Sequence, residues 1–312
     1  MDIIKVMKIY DLVIIGAGPA GLTAGLYATR DGLKVAIVGK EIGGTANKIL
    51  LIENWPGFNG SGSELMKNFH EQLKKHNIEF ILEDADEIKK NKNNFKIKTK
   101  KQEIESKSII LTTGTQRKKL EIPGEKKLIG RGISYCVTCD AFFFKGKNVA
   151  VIGGSDCATT SALALSDIAK KIYLVYRGKK LKCEKINLDR LEKKKNIEIF
   201  YDSIPLEIKG KEKVEALIIK QNNQKQEISL DGVFIEIGAI ALSGLAKNLG
   251  LKLDKENHII VDRDMKTSVD GFFAAGDVTD SKLKQVVVAS AQGAIAAKSA
   301  YGFLRNNTTK YK

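Results

Sequence analysis

The chain has 312 residues, 43% of them hydrophobic, with four cysteines and a formal net charge of +15. That length holds two cores, and so few cysteines exclude a scaffold built from disulfides. The lysines are scattered in runs such as RKKLEIPGEKK and LEKKK, without interleaved aromatics. This describes a solvated surface and argues against nucleic acid as a partner, while leaving room for an acidic protein.

The opening, MDIIKVMKIYDLVIIGAG, runs into a strand and a glycine turn with no signal-peptide pattern, so a cytoplasmic protein is expected. Leu12–Ile15 reads as the strand. Gly16, Gly18 and Gly21 follow as GxGxxG, and Pro19 and Ala20 open a helix. Gly16 allows the tight turn, Gly18 lets backbone approach a pyrophosphate, and Gly21 lets helix and strand pack closely. A diphosphate is then expected on the helix N-terminus, where free N–H groups and the dipole favour an anion. Next come an amphipathic helix, SELMKNFHEQLKKHN, and strands in IEFILEDADEIKK, NFKIKTK and SIILTTG. The polar stretch TTGTQRKKLEIPGE, with Pro123, suits a crossover between domains.

YCVTCD places Cys136 and Cys139 two residues apart, backed by Asp140. The pair reads as half a zinc site, a structural disulfide or a redox couple. From residue 147, KNVAVIGGSDCATTSALALSDIAKKIYLVYRGK repeats the strand, glycine turn, helix and strand of the opening. Here Gly153 and Gly154 begin the turn, Ser155 occupies the close-approach position, and Ala158 fills the packing position. Serine weakens a phosphate site without abolishing it. No acidic residue ends the following strand to hold a ribose. Arg177, Lys179, Lys180 and Lys182 either hold a 2′-phosphate or are solvated. IEIFYDS, VEALIIK and GVFIEIG read as strands, and IGAIALSG as the crossover back. Val286 to Leu304 is interrupted by Gln292, Gly293 and Lys298, which makes it a buried helix and no membrane span. The expected fold is α/β, with two Rossmann-like three-layer nucleotide-binding domains. Residues 117–242 form the second, inserted into a first made of 1–116 and 243–312.

Four segments stand in one order: IIGAGPAGLTAGLYATR, then IGG with ENWPGF, then YCVTCDAFFFKGK, then TSVDGFFAAGDVTD. In them the chain resembles the low-molecular-weight thioredoxin reductases over nearly its whole length. The resemblance implies FAD in the first domain, its diphosphate on Gly16, Gly18, Pro19, Ala20 and Gly21. Val38, Gly39, Lys40, Glu41, Gly43, Gly44 and Thr45 would follow the adenosine part. Asn54 would lie near the flavin ring, and Gln285 and Val286 would face it. Gly114, Gly276 and Ala289 would belong to the same site. Asp277 would accept a hydrogen bond from the ribityl chain. Trp55 is expected to pack beside the flavin.

The resemblance also implies that Cys136 and Cys139 are a redox couple. The ligand count agrees, since zinc needs four ligands and Cys157, Cys183, His70, His76 and His258 lack the spacing, so no metal is expected. Cys139 would face the flavin and exchange two electrons with it. Cys136 would attack the target's disulfide, and Asp140 would move the proton. Cys157 and Cys183 are expected to be buried small residues without chemistry. A rotation between the two domains would alternate nicotinamide and disulfide at the flavin.

The match is poorest at the implied nucleotide site of Gly153, Gly154, Ser155, Ala158, Arg177 and Lys182. Ser155 replaces the family's third glycine, and Tyr176-Arg177-Gly178 stands where His-Arg-Arg is usual. Thr45 stands where glutamine is common. The expected donor is therefore ferredoxin or a deazaflavin ahead of NADPH, and NADPH ahead of NADH. The expected partner is thioredoxin or a glutaredoxin-like protein, with a homodimer as in the family. Two further readings are a flavin-binding redox sensor with little turnover, and a flavin enzyme that makes peroxide or reduces ferredoxin without the disulfide.

Overall fold

A computed structural model describes residues 8–49, 52–92 and 94–309. The reading of the first seven residues as a run into the first strand lies outside the described residues. The chain divides into two compact units, one from the stretches up to Gln116 and from Ile240 onward, the other from Arg117–Ala239.

In the first unit, β1 (Ile9–Ile15), α1 (Pro19–Arg30) and β2 (Val35–Val38) form a βαβ unit. Next come α2 (Gly62–Leu73) and β3 (Ile78–Ile81). Ser61 caps α2 in a reciprocal box with Glu64. The single strand expected in IEFILEDADEIKK divides into β3 and β4 (Ala85–Lys90), because Glu83 and Asp84 break the apolar run. With β5 (Phe95–Thr99) and β6 (Glu103–Leu111) the sheet order is β3-β2-β1-β6-β5-β4. β6 runs parallel to β1 and antiparallel to β5. Leu12, Ile14, Val35 and Ile37 pack under the helices, while Val13, Ile15, Ala36 and Val38 face Ile88, Ile97 and Ile104. This two-residue alternation makes three layers from one parallel core.

The second unit repeats the plan. Its sheet order is β7 (Ile133–Ser134), β14 (Gly232–Ile235), β8 (Asn148–Ile152), β9 (Lys171–Val175) and β10 (Ile197–Phe200), all parallel. Its helices include the short α3 (Val137–Asp140) and α4 (Asp156–Ser166), whose Ala158, Ala162 and Leu165 cover Val149, Val151 and Leu174. Strands β11 (Ser203–Lys209), β12 (Ala216–Gln221) and β13 (Gln224–Ser229) form an antiparallel sheet whose Leu217, Ile219 and Ile228 join Ala150 and Ile152. β11, β13 and the helix Lys185–Glu192 were not legible in the sequence, because their polar residues mask the periodicity.

The chain returns to the first unit as β15 (Phe272–Ala274), parallel to β6, and α5 (Val286–Thr309). Gly293 lets α5 cross α1 closely, since a Cβ there would lie 2.1 Å from the Ala20 carbonyl oxygen. No helix among the described residues is long and apolar enough to cross a membrane.

Candidate functional site: two glycine turns and a disulfide

The first turn is held by its own strands. Gly16 N–H donates to Val38 O (2.8 Å), and Thr112 N–H donates to Ile15 O (2.7 Å). Gly16 has φ +117°, and a Cβ on it would sit 2.2 Å from Thr112 O. Gly21 is equally constrained, its Cβ falling 1.9 Å from Gly16 O. Gly18 differs. Its φ is −79°, and a Cβ there meets nothing nearer than Gly43 O at 4.0 Å. The protein's own packing does not require glycine at 18, and its absent side chain leaves the α1 N-terminus open to an approaching group. A diphosphate fits that cradle. Sequence reasoning missed Thr112, whose Oγ1 donates to Gly16 O (2.8 Å) from the end of β6.

Residues 38–45 fold back along this turn. Gly43 N–H donates to Ala17 O (2.7 Å), and a Cβ on Gly44 would stand 3.3 Å from Gly18 Cα. Lys40, Glu41 and Thr45 are exposed along the rim. From the other side comes Gly276, at φ +80°, where a Cβ would lie 3.1 Å from Ala20 Cβ and 3.6 Å from Ala289 Cβ. The adjoining Asp277 is mostly buried, yet its carboxylate accepts no hydrogen bond from any described residue. Burial pushes its pKa above the usual carboxylate range, and Lys284 and His258 offset only part of that. An unpartnered, desolvated carboxylate suits a polyol hydroxyl. Asn54 Nδ2 donates to Gln285 Oε1 (3.1 Å) ahead of Val286. Trp55 stacks edge-on against Phe69, 5.4 Å between centroids. Gly114, at φ +67°, has open space where its side chain would be. These residues fit FAD.

In the second unit Cys136 and Cys139 are joined as a disulfide, with Cα atoms 5.3 Å apart. Cys136 caps α3, and Cys139 N–H points at its sulfur (3.2 Å). Ser134 Oγ accepts from Cys136 N–H (2.9 Å) and fixes the approach to the bend. Cys139 is exposed, Cys136 and Asp140 are half-buried, and Phe142 and Phe143 beside them are 77% and 69% exposed. Tyr135 donates its hydroxyl to the buried Glu125 (2.5 Å). Burial, then that carboxylate, pushes the Tyr135 pKa upward.

The second turn shares the backbone of the first but not its side chains. Gly153 N–H donates to Val175 O (3.0 Å), and Lys182 N–H donates to Gly154 O (2.7 Å). A Cβ on Gly154 would fall 2.3 Å from the Tyr176 ring, which therefore lies flat on that glycine. Ser155 is exposed and its hydroxyl caps nothing. Ala158 is fully buried, and Arg177 and Lys182 are exposed. Under the helix lies Glu236, only 3% exposed, which accepts from Ser161 Oγ (3.1 Å). Arg117 Nη1 stands 2.6 Å from its Oε2, an ion pair whose angle falls short of a hydrogen bond. Burial raises the Glu236 pKa against the opposing pull of Arg117 and Ser161. Nothing in the sequence signalled this pair. Cys157 corrects an expectation, being exposed where a buried residue was anticipated. It lies in the first turn of α4, off the face that Ala158 and Ala162 bury. Cys183 is half-buried.

Residues 10–293 match the family model described as pyridine nucleotide-disulphide oxidoreductase. A thioredoxin reductase of Bacillus subtilis is 37% identical, over 94% of this chain and 94% of that protein. The crystal structure of the Lactococcus lactis thioredoxin reductase superposes with a TM-score of 0.93 at 36% identity, covering 95% of this chain and 99% of its own. That of the T. acidophilum thioredoxin reductase gives 0.91 at 36% identity, covering 95% and 98%. The chain belongs to the pyridine nucleotide-disulphide oxidoreductase family, in its low-molecular-weight thioredoxin reductase branch.

Proposed function

We propose that the protein is an FAD-dependent thioredoxin-disulfide reductase, working in the cytoplasm as a homodimer on thioredoxin or a glutaredoxin-like protein. The observation that carries this reading is the Cys136–Cys139 disulfide, bent around a backbone N–H and flanked by exposed Phe142 and Phe143. Apolar rings beside a reactive sulfur suit docking of a folded protein substrate better than a small thiol.

Bound FAD supplies a two-electron store. Gly16, Gly18 and Gly21 hold its diphosphate and Asp277 its ribityl chain, with Asn54 and Gln285 near the ring. Two electrons and two protons open the Cys136–Cys139 bond to a dithiol. The Cys136 thiolate attacks one sulfur of the partner's disulfide and expels the other as thiolate. Cys139 then attacks Cys136 in the mixed disulfide, which restores the Cys136–Cys139 bond and releases the partner as a dithiol. Asp140, with a carboxylate free of described partners, exchanges the protons of Cys139.

The electron donor is ferredoxin or a deazaflavin ahead of NADPH. Ser155 at the close-approach position, the Tyr176 ring on Gly154, and the loss of a basic residue at Gly178 support this order. A conventional NADPH-dependent reductase is the second reading, supported by the intact turn backbone with Arg177 and Lys182 beside it. Anaerobic titration of the yellow protein separates them. Bleaching of the flavin band by NADPH favours the second reading. No bleaching by NADPH or NADH, but full reduction by reduced ferredoxin, favours the first. In either case Cys136→Ser is expected to end thioredoxin reduction, a loss on the order of a thousandfold or more, with FAD content unchanged. Survival of thioredoxin reduction in that variant sinks the disulfide mechanism.

A further inference from the structure

The turn Gly276–Thr279 is held more firmly than its surroundings require. Gly276 N–H donates to Gln292 Oε1 (2.8 Å), in the second turn of α5. Lys284 Nζ donates to Asp277 O (3.0 Å) and to Thr279 O (2.5 Å) from just ahead of the same helix. Thr279 closes the turn on itself, its Oγ1 donating to Gly276 O (2.8 Å). The peptide entering Gly276 and the peptide leaving Asp277 are thus fixed by two side chains of one segment, and the peptide between them by Thr279, while the Asp277 carboxylate has no described partner. Neither anchoring side chain was singled out in the sequence as a site residue.

The cost of the arrangement shows that packing alone does not explain it. Lys284 is half-buried, and burial lowers its pKa despite Asp277, Asp254, Asp280 and Glu256 nearby. An ammonium drawn inward to bond two carbonyls gives up hydration that a surface lysine keeps. Gln292 spends its amide oxygen on Gly276, and its amide nitrogen meets no described acceptor. Gly276 and Gly293 both abut Ala20 at the start of α1, so the Gln292 bond lies beside the diphosphate cradle.

We infer that Gln292 and Lys284 are positioning residues for FAD, clamping the backbone on either side of Asp277 so that its carboxylate stands preset for the ribityl chain. The inference rests on the FAD reading above. Presetting lowers the ordering cost of binding, so its loss appears as weaker affinity for the part of the ligand that Asp277 meets. The adenosine diphosphate half lies on Gly16–Gly21 and does not depend on the clamp.

The test uses the full chain stripped of flavin and reconstituted. FAD affinity is followed by flavin fluorescence, and ADP affinity by competition with FAD. Gln292→Met removes the acceptor at nearly constant shape, and Lys284→Met removes both donors. Each is expected to raise the FAD Kd about tenfold, equivalent to about 1.4 kcal/mol, with the ADP constant unchanged. Lys284→Arg keeps donors in place and is expected to stay within about threefold of the parent. An unchanged FAD Kd in both methionine variants overturns the inference. So does an equal loss for FAD and ADP, which marks a general loosening of the unit. A parent protein that takes up no FAD sinks the FAD reading itself, and the clamp with it.

Discussion

The two glycine turns share a scaffold and differ where a ligand would touch it. Gly16 and Gly153 donate to the ends of β2 and β9 (2.8 and 3.0 Å), and Gly43 and Lys182 close back on Ala17 and Gly154 (both 2.7 Å). Even the clash that forbids a side chain recurs. A Cβ on Gly16 meets Thr112 O at 2.2 Å, and one on Gly153 meets Glu236 O at 2.2 Å. The bonds that make the turn are internal to each unit, so they persist whatever binds. The side chains change even at positions whose backbone bonds recur. Gly18 becomes Ser155, Gly39 becomes Tyr176, Gly43 becomes Lys182, and Thr112 becomes Glu236. The backbone bonds therefore define the turn, and the side chains set what each turn offers to a ligand.

Four substitutions probe the difference between the turns, in order of decreasing cost. Gly16→Ala puts a methyl into a carbonyl at positive φ and is expected to destabilise the protein by roughly 4 kcal/mol in urea unfolding. Arg117→Met leaves Glu236 buried without its cation. The expected loss is about 3 kcal/mol, at the low end for such pairs because Arg117 is partly exposed. Glu236→Gln is expected to cost clearly less, since it removes the charge that needs compensation. Gly18→Ala has room within the protein. It is expected to leave the apoprotein's melting unchanged while weakening FAD about a hundredfold, or about 2.7 kcal/mol, in reconstitution titrations. A fall in melting temperature with FAD affinity retained would mean that Gly18 serves the turn and no ligand.

The sequence showed the parts of the fold that depend on period and on glycine. β1, α1 and the first turn are legible because Leu12–Ile15 is wholly apolar and GxGxxG follows at once. Cys136, Cys139 and Asp140 are legible because they lie within five residues of one another. What stayed hidden joins distant residues: Thr112 with Gly16, Glu236 with Arg117 and Ser161, Gln292 with Gly276. Such bonds form where strand ends converge, and a local pattern carries no trace of them. Cys157 misled for a related reason. Composition makes cysteine a buried residue, but helix phase decides, and Ala158 and Ala162 claim the inward face of α4. The strands β11 and β13 escaped because one face of a thin antiparallel sheet is solvated.

A fifth variant moves the second turn toward the first. Ser155→Gly restores the close-approach position without disturbing the turn, since Ser155 caps nothing. It is expected to speed flavin bleaching by NADPH about tenfold under anaerobic stopped flow. No gain would place the limitation at Tyr176 or Gly178.

The smallest effect belongs to the mostly buried Asp277 carboxylate of the first unit, which accepts no hydrogen bond from any described residue. Burial raises the Asp277 pKa, so the folded apoprotein holds that proton to higher pH than the unfolded chain does. Native stability of the apoprotein should therefore fall as pH rises from the ordinary carboxylate range through the raised value, and level off above it. A ribityl hydroxyl donating to the ionised form reverses the bias and lowers the pKa on binding. FAD binding then releases a proton within that window, and FAD affinity rises with pH, by about threefold, before it becomes flat. Lys284, His258, Asp254, Asp280 and Glu256 surround the site, so the slope must be assigned by substitution. Asp277→Asn is expected to remove it and leave a level profile. Tighter FAD binding toward acid pH in the parent protein would mean that Asp277 donates as a neutral acid, and the ribityl chain would be the acceptor.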